Sequence, residues 1–425
     1  MNTKLVRIAD KAKTNPRLRF TALAHLLTSD FLKETWSMMN RRGASGVDQE
    51  TTQEFGDNLD ARCESIAARL RARSYQAPPV RRVDIPKGDG KTRPLGIPTV
   101  EDRLVQRAVA RILETIYETE FLNCSYGFRP GRGPHDAIRE LRNQFMAGRV
   151  TTVFETDIRG YFNNLNHQWL MRMLRLRIGD PVILRLISKW LRAGALINGV
   201  VVRTEVGSPQ GGPISPLLAN IYLHYALDLW FSRRWAKECE GRVYLTRFAD
   251  DYVAGFEYAP EARRFAKDVQ ERMKQFGLEL AEEKTRLLTF GRLPFNEGKT
   301  LGSFDFLGFT HIGGSDRKGR FAVIRLPSRK SCRKFLVAVD KKLRAKMHEP
   351  PTDQQQLLQR MLQGFYQYFA LNYCLERLKT LRYHVYRKWA WVLRRRSQKH
   401  KLWWNVLYRK PWFKLPGTLV VHPTV

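Results

Sequence analysis

No apolar run in this sequence reaches the roughly 20 residues that a bilayer-spanning helix needs. The N-terminus, Met1 to Asp10, also lacks the apolar stretch of a signal peptide. Cysteine is scarce: the 5 present, Cys63, Cys124, Cys239, Cys332 and Cys374, stand far apart and include no C-x-x-C pair. That argues against a zinc module and suits free thiols in a reducing compartment. Internal repeats and long low-complexity tracts are missing. Acidic residues are in short supply, 41 Asp and Glu against 74 Lys and Arg, for a net charge of +33. Solubility does not require such an excess; it attracts polyanions, nucleic acid first among them. An anionic membrane is the weaker partner, because no basic amphipathic anchor or lipidation signal accompanies the charge. What is there is a globular composition, 43% hydrophobic and 27% charged over 425 residues, enough for a sizeable core. The expectation is a cytoplasmic protein with no membrane partner.

Residues 1 to about 75 read as helical. Leu23, Leu26, Leu27, Phe31, Leu32 and Trp36 recur at helical spacing between Phe20 and Met39, and Leu59 to Leu70 is a second candidate. Between them, Arg41, Arg42 and the loop Gly43 to Asp48 form either a connector or a contact to backbone phosphates, since glycine permits close approach. Val80 to Pro98 reads as strand, Gly-Asp-Gly turn and strand, with Lys87, Lys91 and Arg93 at the tip as a phosphate clamp or a solvated turn. An amphipathic helix from Glu101 to Phe121 leads into Ser125-Tyr-Gly-Phe-Arg-Pro-Gly-Arg132, followed by a helix from His135 to Met146. His135 has no second ligand at helical spacing, so it is read as structural or as a nucleic-acid contact. Thr151 to Asp157 is a short strand that ends on a carboxylate, and helices follow from Gln168 to Ile178 and from Asp180 to Ala193.

The rigid loop Gly207 to Pro216 carries Gln210 and opens an apolar helix, Leu217 to Trp235. Pro260 to Phe276 is helical, Gly277 to Thr289 is strand and turn, and Asp305 to Phe309 is a strand pair at a glycine. Three basic helices close the chain: Ser328 to His348, Asp353 to Tyr373, and Leu375 to about Leu402. In the last, Arg387, Lys388, Arg394 and Arg395 are among nine cations interleaved with Tyr383, Tyr386, Trp389 and Trp391. Cations supply phosphate affinity and aromatics supply stacking. Part of that run is also a solvated face over an aromatic core.

Asp250 and Asp251 interrupt the partly alternating apolar stretch Val243 to Glu257, which folds most simply as a hairpin with both carboxylates at its tip. Alone, the pair reads as a solvated turn. Adjacent anions repel unless cations bind, and oxygen-only ligands on a tight turn suit Mg²⁺. With strand-end Asp157, the Gln210 loop and the basic tip at Lys87, one chemistry accounts for the set: nucleotidyl transfer with two cations held by carboxylates from two strands.

In their order and spacing these segments resemble group II intron reverse transcriptases, also called maturases, over roughly residues 40 to 400. Gly43-Ala-Ser-Gly-Val-Asp48 is similar to the family's N-terminal extension, and Ile85 to Pro98 and Ser125 to Arg132 to its finger motifs. Asp157-Ile-Arg-Gly-Tyr-Phe162, Pro209 to Asn220 and Phe248-Ala-Asp-Asp251 are similar to its palm motifs. Glu283-Lys-Thr285 and Phe306-Leu-Gly-Phe309 resemble the later palm and primer-grip motifs, and Gln363 to Tyr368 a thumb helix. The resemblance implies an α+β right-hand polymerase fold: fingers, a palm with an antiparallel sheet, and a three-helix thumb. It divides the chain into an N-terminal extension with the helical part of the fingers (1–75), fingers and palm (76–320), thumb (321–400) and a short basic Trp-rich tail (401–425).

It further implies RNA-directed DNA polymerase activity with catalytic Asp157, Asp250 and Asp251. Two Mg²⁺ ions, with Mn²⁺ as a substitute, would bind these carboxylates and the Ile158 carbonyl. Lys87, Arg93, Phe162, Gln210 and Lys284 would contact the nucleotide, Phe162 by blocking a ribose 2′-hydroxyl. Arg41, Arg42, Arg129, Arg132, Phe306, Leu307, Gly308, Arg387, Lys388, Arg394 and Arg395 would contact nucleic acid. The implied partners are an RNA template, notably structured intron RNA, a DNA primer or target, and dNTPs, in a bacterial cytoplasm near the nucleoid.

Three departures stand out. Phe248 replaces the usual Tyr, and Asn163 and Asn166 stand where relatives often carry acids. No Cys-pair, His-Asn-His nuclease segment follows the thumb, which points to the compact lineage without an endonuclease. The alternatives are a freestanding relative serving repair, CRISPR spacer uptake or phage defence, and an RNA-binding splicing factor with secondary polymerase activity.

Overall fold

The computed structural model describes residues 3–86, 92–147, 149–197, 200–202, 211–396, 402–423 and 425. The N-terminal part is helical in shorter pieces than its spacing predicts. After α1 (Thr3–Thr14), the stretch expected as one helix from Phe20 to Met39 breaks into a 3-10 turn at Ala24–Leu26 and α2 (Ser29–Ser37). The cause is capping. Asp180, far along the chain, accepts the N–H groups of Leu23 and Ala24 at 2.6 and 2.8 Å, and the Thr28 hydroxyl starts α2. A Thr51–Glu54 capping box opens α3 (Thr52–Asp57), and α4 (Leu59–Arg71) follows.

β1 (Val80–Pro86) and β2 (Thr92–Ile97) pair antiparallel, their connecting tip lying outside the described residues. α5 (Val100–Tyr117), capped by Thr99, is the central helix of the largest core. Its buried positions run almost all the way round, as a helix covered on every side requires. Then come α6 (Pro134–Ala147), β3 (Thr152–Asp157), α7 (His167–Arg175) and α8 (Pro181–Arg192), the last with Asp180 as N-cap and proline at its start. β4 (Ala195–Ile197) and β5 (Val200–Val202) extend the first sheet to the order β2-β1-β4-β5.

α9 (Ser215–Leu223) passes through a π-turn at His224–Asp228 into α10 (Leu229–Arg233), so the helix expected from Leu217 to Trp235 is interrupted. β6 (Val243–Phe248) and β7 (Asp251–Phe256) form a hairpin. α11 (Ala259–Gln275) packs behind it, and β8 (Arg286–Thr289) completes the antiparallel sheet β6-β7-β3-β8. After the short α12 (Arg292–Asn296), a second antiparallel sheet follows: β9 (Ser303–Phe306), β10 (Phe309–Ser315) and β11 (Phe321–Pro327).

The three basic helices are α13 (Arg329–Ala345), α14 (Pro351–Phe369) and α15 (Leu375–Arg394), which share one core. The tail belongs to that core as well. Leu407 of α16 (Trp404–Tyr408), Phe413 and Leu415 are buried there, and Trp389 stacks on Phe413 at 4.7 Å. Trp389 and Tyr386 therefore serve packing, while Tyr383 and Trp391 are exposed. The whole is a mixed helix and sheet architecture. Among the described residues no helix is long and apolar enough to cross a membrane.

Candidate active site

Strand pairing brings together carboxylates that are distant in sequence. β3 runs antiparallel to β7 with Asp157 directly opposite Asp251, so the two side chains are cross-strand neighbours at the rim of the sheet. Asp250 sits in the two-residue turn between Phe248 and Asp251, which are register partners. Burial, then the charges of Asp157 and Asp250, push the Asp251 carboxyl up to about 7, against a backbone hydrogen bond from Leu307 that pulls it down. Anions crowded this way favour a bound cation. Lys284, in the turn before β8, is ion-paired with Asp157, and that hydrogen bond raises its own pKa.

Among the described residues no three His, Cys, Asp or Glu side chains converge on a single point as a closed metal cage would need. The site instead offers oxygen donors on one sheet edge. That fits Mg²⁺, which takes one or two carboxylates and completes its shell with water and substrate phosphate.

The turn is held from beneath by a residue to which sequence reasoning gave no role. Arg247 is 0% exposed, and all five of its N–H groups are used. It donates to Asp228 at 2.8 and 2.6 Å, to Asn220 at 3.1 Å, to the Ser125 hydroxyl at 2.8 Å and to the Ala249 carbonyl at 2.9 Å. Ala249 has φ 57, a left-handed conformation that costs a non-glycine residue energy, so the turn needs this support. Gly127 supports it from the other side: a Cβ there would lie 2.4 Å from the Ala249 nitrogen. Asp228 ends the π-turn, whose extra residue shifts the rest of the helix by about one position. The signal was present in the sequence as one acid inside the apolar helix Leu217 to Trp235 and one arginine inside an apolar strand.

Phe162 lies in a 3-10 turn, Tyr161–Asn163, beyond the end of β3; its ring meets Tyr161 edge-on at 5.5 Å. Ile158 buries its side chain, and its backbone bridges to Leu280 at the sheet rim. Lys87 and Gln210 lie outside the described residues. The Arg93 backbone pairs with Ile85, and its side chain lies outside the described part. Gly211, next after Gln210, packs on β2 so tightly that a Cβ would come 2.4 Å from the Gly96 carbonyl oxygen. Phe248 is half-buried, its ring 6.4 Å from that of exposed Phe128.

The residues expected to contact nucleic acid fall in different settings. Arg129 is buried and bonded to Glu118 at 2.9 Å and to the carbonyls of Leu122 and Ser125. It ties its loop to α5. Arg132 donates to Asn123 and lies over the Tyr126 ring. Phe306 is an interior residue of the second sheet. Leu307 and Gly308, at φ 51 and 80, make the β9–β10 turn; the Leu307 carbonyl accepts from the Tyr368 hydroxyl at 2.9 Å. Lys388 reaches Asp340 at 3.4 Å. Arg41, Arg42, Arg387, Arg394 and Arg395 are exposed, with Arg395 over Trp391 and Arg394 over Trp404. His135 is structural: its ring nitrogen meets the Tyr368 carbonyl at 2.8 Å and its ring stacks on Tyr368.

Residues 85–311 match a family model described as reverse transcriptase (RNA-dependent DNA polymerase). The chain is 33% identical over 362 residues to protein YkfC of Escherichia coli (strain K12), covering 78% of this chain and 94% of that one. It is 40% identical over 225 residues to the group II intron-encoded protein LtrA of Lactococcus lactis subsp. cremoris, covering 52% of this chain and 37% of LtrA. A third relative is an uncharacterized 91 kDa protein in a cob intron of Schizosaccharomyces pombe, 40% identical over 161 residues, or 38% of this chain and 20% of that one. The chain thus spans nearly all of one of these relatives and well under half of the other two.

Proposed function

The chain belongs to the reverse transcriptase family, among the group II intron reverse transcriptases and maturases, and is an RNA-directed DNA polymerase; from that premise we propose how it works. The sheet β6-β7-β3-β8 serves as palm, the elements before it as fingers and α13 to α15 as thumb. Asp157, Asp250, Asp251 and the Ile158 carbonyl are the residues that would hold two Mg²⁺ ions, or Mn²⁺ in their place. Bound there, the ions would lower the pKa of a primer 3′-hydroxyl and neutralise the leaving pyrophosphate.

The chain's own residues do the positioning. Arg247 fixes the turn that carries Asp250 and Asp251. Phe162 closes the space beside a dNTP sugar and so disfavours a 2′-hydroxyl. Lys284, paired with Asp157, is placed to pass to the phosphates of an incoming nucleotide, with Lys87, Arg93 and Gln210 as further contacts. Catalysis is then mostly orientation and charge neutralisation on an RNA template. The observation that carries this reading is the opposed pair Asp157 and Asp251 beside Asp250, with the Asp251 carboxyl pushed up by burial and then by its neighbours.

A second activity, intron-RNA binding that assists splicing, is supported by the exposed cations Arg41, Arg42, Arg387, Arg394 and Arg395 and by relatives named for introns. One variant tests both. Asp250→Asn should lower extension of a DNA primer on RNA with Mg²⁺ by at least about 10²-fold, while leaving splicing of the cognate intron intact. Near-normal extension removes the metal role from Asp250, and lost splicing by a folded variant removes the independent RNA-binding role.

A further inference from the structure

Arg325 stands where an apolar residue belongs. The inward positions of β11 are Phe321, Val323, Arg325 and Pro327, and all are buried. Its register partner is His311 of β10, whose ring stacks on Phe304 at 4.9 Å with an interplanar angle of 4°. Arg325 is 1% exposed, and its Nε and Nη1 have no hydrogen-bond partner among the described residues. Among the described residues, the groups whose charge bears on it are Arg142 of α6, which repels it, and Cys374 and Tyr373 in the turn after α14, with no carboxylate. Arg142 is half-buried and has no hydrogen bond or ion pair among the described residues. Elsewhere buried arginines meet acids: Arg247 meets Asp228, Arg129 meets Glu118 and Arg177 meets Glu120. A buried guanidinium with no anion is strongly unfavourable, and a second guanidinium beside it makes matters worse.

We propose that the junction of β11, α6 and the α14–α15 turn is a binding site for one phosphate group, with Arg325 as its floor and Arg142 as its lip. The planar guanidinium fork suits two phosphate oxygens at once. Tyr373, with φ 71 and 47% exposed, brings a hydroxyl donor to the rim. The site would join parts of the chain that are far apart in sequence. The Cys374 thiol donates to the Arg325 carbonyl at 3.0 Å, and the β9–β10 turn of the same sheet bonds Asp251 through Leu307. A phosphate held here therefore ties the helical bundle to the sheet that touches the candidate catalytic carboxylates.

The phosphate comes either from the backbone of a bound strand or from free phosphate or pyrophosphate, and binding assays separate the sources. The full chain, Arg325→Met and Arg142→Ala are compared in phosphate-free buffer. In one arm, inorganic phosphate and pyrophosphate are titrated while the melting temperature is read. In the other, primer–template affinity is measured against salt concentration. A free anion raises the melting temperature of the unmodified chain by a few degrees at saturation and leaves the variants unmoved. A strand phosphate leaves that arm silent and lowers the salt slope of each variant by about 0.9. Silence in both arms overturns the site. Arg142→Ala, at a half-exposed position, carries the test if Arg325→Met does not fold. Only the strand arm rests on the polymerase reading. Neither arm measures extension, so loss of the metal site through Asp250→Asn leaves both readouts unchanged.

Discussion

Arg247 and Arg325 both occupy inward-facing strand positions, and both are lost to solvent, at 0% and 1% exposed. Around Arg247 the fold supplies an acceptor for every donor, including a carboxylate that is itself fully buried. Around Arg325 it supplies a second arginine, a histidine and an aromatic ring. The first is a closed network whose output is the shape of one turn. The second is an open charge with no complement among the described residues. Burial alone therefore says nothing about what an arginine does; the list of acceptors does.

The largest effect that sharpens this contrast falls on the closed network. Arg247→Met leaves Asp228 buried without its partner and removes the donor on Ala249. Denaturant unfolding should show a loss of about 3–5 kcal/mol. Arg247→Lys, which keeps charge without the fork, should recover part of that stability but shift primer extension to a higher Mg²⁺ requirement. An unchanged Mg²⁺ titration in a folded Arg247→Lys protein would separate Arg247 from the turn. Next in size is an effect of pH on the open region. Burial, and then Arg325, hold the His311 imidazole down to about 3. The unfolded chain takes up this proton near pH 6.5 and the folded chain does not, so stability from His311 is present above pH 6.5 and is lost as pH falls toward about 3. Each pH unit in that window should remove roughly 1.4 kcal/mol. His311→Phe should flatten the slope there, and an unaltered slope would place the acid sensitivity elsewhere, His224 being the next candidate.

What the sequence made legible was what neighbours in sequence decide. Alternation gave the strands on either side of Asp250 and the strand ending at Asp157. Helical spacing gave α5, α11 and the three basic helices, and the Asp180-Pro181 pair gave the start of α8. What stayed hidden was decided by distant partners. Asp180 breaks the helix predicted over 20–39 from 156 positions away, a distance no local window contains. Arg129 lies in a Gly- and Pro-containing loop that looks exposed, and only the fold shows Glu118 waiting for it. Trp389 reads as a stacking surface until the tail brings Phe413 onto it. Asp157 and Asp251 were named from a strand end and a hairpin tip, and the resemblance of motifs agreed, but their direct opposition is a matter of register, which pairing sets and composition does not.

The smallest effect is the one that most directly tests the difference between the two arginines. In the absence of phosphate, Arg325→Met exchanges an uncompensated buried cation for an apolar side chain of comparable length, on a face already lined by Phe321 and Val323. Removing a charge that has no partner relieves desolvation and the repulsion from Arg142. Filling the space with methionine keeps contacts that alanine would lose. The expected stability change in phosphate-free buffer lies between zero and a gain of about 2 kcal/mol, opposite in sign to Arg247→Met. The His311 imidazole, freed from Arg325, should titrate at a higher pH in the same variant, and NMR of the ring protons reads that shift directly. A loss of several kcal/mol on Arg325→Met would mean that the guanidinium already has its complement inside the fold, and the two arginines would then belong to one class.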